Sequence, residues 1–301
     1  MRWKIFLSVI FFLIVILLLG FYLFPFNTTE FIMPSENTNF SLGGEDGMQF
    51  YPNMRFPDSA ISYKIHDCTL QKMNDMERAF DIISNGSRLN FYRVQDDEQI
   101  SVNCDSETKM KEGLFIAGEG GPSNVTLAGN FYVILHGDIL LIRDSKCETP
   151  NIAIHELLHT LGFNHSINSN NIMYPVTECG QTIGDDVFDL IDEIYLTPSY
   201  ADLSFENVSA IMHGRYLDID MTIRNSGLAD CESSKVMIYA DGNFIKEIDI
   251  DFLKIGYGKV MSLRNLWISQ LSIDELEFLI EYNLNELEKN NNKIVLEIKK
   301  K

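Results

Sequence analysis

The chain has 301 residues, enough for two domains that each bury a core. Its formal net charge is −19, and so acidic a chain repels nucleic acid, which excludes that partner class. The acidic residues are spread along the sequence, as on a solvated surface, rather than gathered in a tail.

Ile5 to Phe26 carries no charge and is apolar apart from Ser8, Gly20 and Tyr22. Such a stretch is long enough to cross a hydrocarbon layer of about 30 Å. Arg2 and Lys4 precede it, whereas Glu30, Glu36, Glu45 and Asp46 follow before the first basic residue, Arg55. The positive-inside rule then predicts residues 1–26 as a cytoplasmic tip and single transmembrane anchor, with everything after it outside. A cleaved signal peptide, which would leave the chain secreted, is the rival. It calls for a shorter apolar core and small residues at its end, and this stretch ends Tyr22-Leu23-Phe24-Pro25-Phe26.

Residues 27–52 are rich in Asn, Thr, Ser, Glu and Gly without periodicity and read as a flexible stalk. Arg55–His66 alternates like a strand. Leu70, Met73, Ala79, Phe80 and Ile83 recur at helical spacing up to the stop signal Asn85-Gly86. Further strands are expected at 89–94 and 100–103. Another pair is expected within 125–142, broken at His136-Gly137-Asp138. A helix begins near Pro150 or Asn151, and a second helical pattern runs through Val187, Leu190, Ile191 and Ile194. Beyond Ala201 short strands follow at close intervals: 216–224, 235–239, 244–250, 259–264, 277–282 and 293–298. Asp241-Gly242 marks a two-residue hairpin. These strands predict a small antiparallel sandwich.

The chemistry is concentrated in His155-Glu156-Leu157-Leu158-His159-Thr160-Leu161-Gly162-Phe163-Asn164-His165, which fits H-E-x-x-H-x-x-G-x-x-H. His155 and His159 are four residues apart, so a helix stacks them on one face. Gly162 allows an abrupt stop at positive φ, after which the chain turns and brings in His165. Three protein ligands leave one zinc position open, the mark of a catalytic site. Glu156 is not a ligand; it is placed to move a proton. His66, His136 and His213 lie elsewhere and read as ordinary core or surface histidines.

This motif resembles that of the metzincin zinc metalloproteases. Ile172-Met173-Tyr174-Pro175 is similar to their Met-turn, with Met173 beneath the histidines. The Met-Tyr-Pro wording and Ser166 look most like the matrixin branch. The resemblance implies an α+β domain over residues 53–200, with a mixed sheet and an active-site helix. It also implies a zinc endopeptidase acting on protein or peptide, with His155, His159 and His165 as ligands and Glu156 as general base. A substrate strand is expected along a sheet edge near 125–133, and residues after Met173 are expected to line the pocket beyond the cut. The matrixin pro-segment cysteine has no counterpart, since 27–52 holds no Cys. No additional structural zinc or calcium site can be matched.

In such a fold Cys147 and Cys179 both lie on segments approaching the zinc, so a bridge between them is expected, with Cys68 joined to Cys104 and Cys231 free. Four cysteines allow three pairings, and the oxidising outer compartment favours bridges over thiols. Residues 201–301 resemble CARDB domains, of immunoglobulin-like all-β fold. The resemblance rests on Ala201-Asp202-Leu203, Ile223-Arg224-Asn225-Ser226-Gly227 and 285–291. A spacer role is expected for it. Two other functions remain open: a surface adhesion or binding protein with an inactive zinc domain, and a zinc amidase acting on a non-peptide wall bond.

Overall fold

A computed structural model of the chain describes residues 2–23, 37–42, 47–107, 110–111 and 114–297. It comprises two units, Met1–Glu36 and Asn37–Lys301. In the first, Arg2–Leu23 is one α-helix, α1. The expected span, 5–26, runs past its last residue, and among the described residues no helix is long and apolar enough to cross a membrane. The structure therefore does not supply the expected transmembrane segment. Residues 24–36, which hold the end of that span and the start of the expected stalk, lie outside the described residues.

The second unit opens with the rest of the expected stalk, and its described parts are not free. Asn168 Nδ2 donates to the carbonyls of Asn37 (2.7 Å) and Asn39 (2.8 Å). Phe40 N–H donates to Asp186 (2.8 Å), and Asn164 N–H donates to Met48 O (2.8 Å). No periodicity announces these contacts, because the segment bonds to side chains and loops of a distant region instead of forming a ladder of its own.

The first domain is built on a mixed sheet. Its elements in chain order are β1 (Met54–Arg55), β2 (Ala60–Ile65), α2 (Leu70–Gly86), β3 (Asn90–Arg93), β4 (Ile100–Cys104), the small hairpin β5 (Met110–Lys111) and β6 (Leu114–Phe115), β7 (Gly118–Ala128), β8 (Phe131–Leu141), α3 (Asn151–Thr160) and α4 (Asp185–Ile194). Strands β8, β4, β2 and β3 are parallel neighbours, and β1 pairs in parallel with the start of β8. Strand β7 alone runs antiparallel, pairing with β8 along its length. The expected break at 136–138 is absent. The turn is Gly129-Asn130, with Gly129 at φ +56°. Gly137 lies within β8 because a Cβ there would meet Thr160 Cγ2 at 2.4 Å. Its glycine marks helix-to-sheet contact, not a turn.

Met76, Ala79, Phe80 and Ile83 of α2 and Ala153, Ile154, Leu157 and Leu158 of α3 share one core with Ile61, Ile100, Val102, Ile134 and Ile139 of the sheet. Two disulfides frame it, Cys68–Cys104 and Cys147–Cys179. The first ties the entry of α2 to the end of β4. The second ties the segment before α3 to the loop before α4, while Cys231 is free and buried.

The second domain holds β9 (Leu203–His213), β10 (Tyr216–Asn225), β11 (Ser234–Ala240), β12 (Asn243–Ile250), β13 (Gly258–Trp267), β14 (Glu275–Glu281) and β15 (Lys293–Glu297). They form a three-stranded sheet, β13-β10-β9, and a four-stranded sheet, β12-β11-β14-β15, around one apolar core. Strand β9 is not foreseen from the sequence. A bulge in its pairing with β10 separates Phe205 from Val208, Ala210 and Met212, so its apolar residues change parity part-way.

An apolar contact joins the two domains. Ala128 and Val133 of the β7–β8 hairpin pack with Leu228 and Ile255 of the sandwich. Arg55 is only 2% exposed, and its guanidinium donates to the carbonyls of Ile194 and Thr197 at 2.8 Å each and to Pro57 O at 3.0 Å. Its plane also lies 4.2 Å from the Tyr195 ring centroid. Arg55 thus satisfies carbonyls where α4 ends and the interdomain segment begins. An ammonium cannot reproduce that fork, so Arg55→Lys is expected to cost about 2–4 kcal/mol through carbonyls left unpaired. Urea unfolding of the variant checks this, and an unchanged midpoint would contradict it.

Candidate metal centre

Helix α3 places His155 and His159 one turn apart, both buried. Each ring is fixed from behind. His155 Nδ1 lies 2.7 Å from Ile172 O, and His159 Nδ1 lies 2.8 Å from Phe163 O. A carbonyl can only accept, so each Nδ1 carries the proton and each Nε2 presents a lone pair. His165 completes the group: its Nε2 lies 3.1 Å from His159 Nε2, and ligand atoms of all three histidines lie within 4.8 Å of one another. Three convergent nitrogens, two of them held in the ligating tautomer, fit a tetrahedral zinc with one open position. Among the described residues no other such group occurs. His66 and His136 instead bond Glu98, at 3.1 Å each.

The helix ends where the motif requires. Gly162 has φ +95°, and a Cβ on it would strike Met54 Sδ at 2.6 Å. Both the dihedral and the space demand glycine. The chain from His165 onward is then bonded into place. Ser166 N–H donates to Met173 O (2.9 Å), Tyr174 N–H to Asn171 O (3.0 Å) and Met173 N–H to Asn171 Oδ1 (2.8 Å). Met173 is fully buried inside this tight turn. The same turn supplies the Ile172 carbonyl that holds His155.

Residues 55–195 match the family model described as Matrixin, and residues 200–295 match the model described as CARDB. The chain carries a matrixin domain followed by a CARDB domain. Matrixins are zinc enzymes, so zinc is the metal of this histidine site. Among solved structures, the CARDB domain of a Pyrococcus furiosus protein, in complex with di-metal ions, is similar at 17% identity and TM-score 0.29, over 33% of this chain and 87% of that one. High choriolytic enzyme 1, a hatching enzyme zinc-protease from the medaka fish Oryzias latipes, is similar at 20% identity and TM-score 0.23, over 36% of this chain and 46% of that one. No curated protein matches the chain.

In the matrixin domain the edge strand β7 passes directly over the active-site helix. A Cβ on Gly120 would meet Glu156 O at 2.2 Å, and one on Gly118 would meet Glu156 Cγ at 2.7 Å. Two glycines therefore let β7 approach close enough for Gly120 N–H to bond the Glu156 carboxylate. Sequence reasoning misses Gly118 and Gly120. Their signal is the glycine-rich start of a strand, Gly118-Glu119-Gly120-Gly121. It also misses the N-terminal segment, whose Phe50 ring stacks on His159 with centroids 5.9 Å apart.

Burial dominates the electrostatics. It lowers His155 to about 4 and His159 to about 3, the latter with help from neighbouring His155. His165 is lowered by burial as well. Burial first, and the charge of Glu119 second, push Glu156 up to about 8.

The signs give the metal-free protein a stability maximum. Below about pH 6.5, the ordinary imidazole value, the unfolded chain binds protons that the buried histidines refuse, so stability falls as pH drops towards 4. Between about pH 4.5, the ordinary carboxylate value, and 8 the folded chain holds one proton more on Glu156, so from that group stability falls as pH rises. The metal-free melting temperature is therefore expected to peak near about pH 6.5–7, and Glu156→Gln to flatten the alkaline limb. Thermal unfolding in chelator across that range checks both signs. A melting temperature that rises steadily from pH 7 to 5 would contradict the assignment.

Proposed function

We propose that this chain is a membrane-anchored zinc endopeptidase working outside the cell, with Glu156 as its general base. The observation that carries this is the complete set of groups in one place: three converging histidines, two of them locked in tautomer, beside a buried carboxylate pinned under the edge strand. A domain that served only adhesion would have no use for a proton-moving carboxylate next to an open metal position.

Bound zinc supplies Lewis acidity, polarising a carbonyl and lowering the pKa of water. Glu156, held by Gly120 N–H, accepts a proton from the attacking water and returns it to the leaving amine. Its burial favours the protonated form once it has accepted. An extended peptide adds to the free edge of β7. Antiparallel pairing is the more stable choice per residue, and it runs the N-terminal side of the peptide towards the C-terminal end of β7. Pro122 and the bulges around Asn124 interrupt that edge, which leaves Gly118–Gly121, next to Glu156, as the pairing stretch. Residues after Met173 line the far side of the cut.

The purified chain loaded with about one zinc is expected to cleave a peptide library and to stop in chelator. Glu156→Gln is expected to keep the metal and lose about 10²–10⁴-fold in turnover. A Gln variant with near-native turnover would assign the base elsewhere.

The anchor rests on the uncharged stretch 5–26 behind Arg2 and Lys4. Two disulfides in the matrixin domain support an oxidising, external setting. Full-length chain is expected in carbonate-washed membranes, with the matrixin domain open to added protease on intact cells. A soluble form lacking residues 1–26 in the medium would overturn the anchor in favour of secretion.

A further inference from the structure

Resting on the endopeptidase reading, we infer that the groove between the hairpin 47–54 and strand β7 is a specificity subsite. It takes a large apolar or aromatic side chain of the substrate on the N-terminal side of the cut. The groove has a volume of about 610 Å³ and is walled by Phe50, Tyr51, Met54, Pro122, Val125 and Asn164.

Its place connects it to the chemistry. At one end Phe50 stacks on His159, the two rings 18° from parallel, and Asn164 immediately precedes His165. At the other, Tyr51 stacks on Tyr132 of β8 with centroids 4.6 Å apart. Asn53 Nδ2 donates to Asn130 O at 3.1 Å. The hairpin is also closed on itself: Gln49 donates to Met54 O and accepts from Met54 N–H. Its inner arm is bonded to the zinc loop through Phe50 N–H to Gly162 O (2.8 Å). The groove is thus a fixed continuation of the catalytic centre, with one wall on each side of the path a peptide takes along β7.

Its chemistry selects the guest. Among the described residues no acidic or basic side chain lines it, although the chain as a whole carries 43 carboxylate residues. Tyr51 is 51% exposed, Phe50 39% and Val125 36%. These are large apolar surfaces left open beside a reactive site, the pattern of a ligand pocket. Where Pro122 and the bulges end backbone pairing on β7, side-chain burial takes over as the source of affinity. Successive side chains of an extended peptide alternate in direction, so one position ahead of the cut drops into the groove.

Two variants test this, each checked for zinc content and fold. Val125→Glu places a charge in the groove, and Tyr51→Ala removes an exposed ring that contacts no zinc ligand. Cleavage profiling of a peptide library is expected to show a preference for Phe, Tyr or Leu at one position before the cut. Each variant is expected to lose about 10-fold in kcat/KM for such peptides, with little change for peptides carrying Ala there. Should Val125→Glu fail to fold, Tyr51→Ala alone decides. Profiles identical to wild type in the folded variants would overturn the subsite while leaving the endopeptidase standing. A second arm does not depend on turnover. In the Glu156→Gln chain loaded with zinc, peptides bearing a benzoylphenylalanine at that position are expected to crosslink within 50–54 or 121–125. If no peptide is cleaved by wild type, crosslinks there still establish the groove as a peptide site and the endopeptidase reading fails alone. Crosslinks elsewhere, or none, overturn the subsite.

Discussion

Two backbone carbonyls, those of Ile172 and Phe163, hold the centre of this protein in order. Each accepts the Nδ1 proton of a buried histidine and so turns an Nε2 lone pair towards the metal position. Burial alone would keep the rings neutral, but it would not aim them. Much of the surrounding structure serves to place these carbonyls. Gly162 ends the helix so that Phe163 folds back under His159, and the buried turn at Met173 presents Ile172 to His155. The Cys147–Cys179 bridge and the bonds from Asn151 Nδ2 to the carbonyls of Glu178 and Gln181 fix the far side of that turn.

The same economy explains the N-terminal segment and the edge strand. Met48 and Phe50 bond the loop that carries His165, while residues 37–41 bond the loop between His165 and the Met173 turn. On the opposite side, β7 is drawn onto α3 through two glycines, and its amide at Gly120 pins Glu156. The Glu156 carboxylate and the metal ligands are thus referred to one rigid helix, with one wall made by the strand and another by the segment 47–54. The CARDB domain touches this frame through the β7–β8 hairpin, where Gly256 comes so close that a Cβ would meet Thr126 Oγ1 at 2.5 Å. The end of the edge strand is thereby packed against the second domain.

Local pattern made some of this legible and hid the rest. Elements with one unbroken period, such as α2, α4 and β10, stand out because their apolar residues recur at a constant interval. Strand β9 did not, since a bulge shifts its parity, and the β7–β8 turn was misplaced because Gly137 mimics a turn signal while answering to Thr160 across the sheet. Polar composition suggests a flexible stalk, yet the carbonyls of its Asn37, Asn39, Ser41, Gly47 and Gln49 accept from Asn168, Ser166 and Asn164 far along the chain. Composition cannot distinguish a solvated amide from one bonded to a loop more than a hundred residues away.

By itself the sequence determined the chemistry: three histidines and a glutamate at fixed spacing, a glycine to end their helix, and a Met-turn after it. Those demands lie within about two dozen consecutive residues, where helical geometry converts spacing directly into direction. Only the tertiary structure decided how the site is held and walled. The carbonyl behind His155, the glycines over Glu156, the hairpin beside His159 and the choice among cysteine pairings all join residues distant in sequence. Each follows from how β7, the N-terminal segment and the Met-turn close on α3, and packing of that kind leaves no constant interval along the chain.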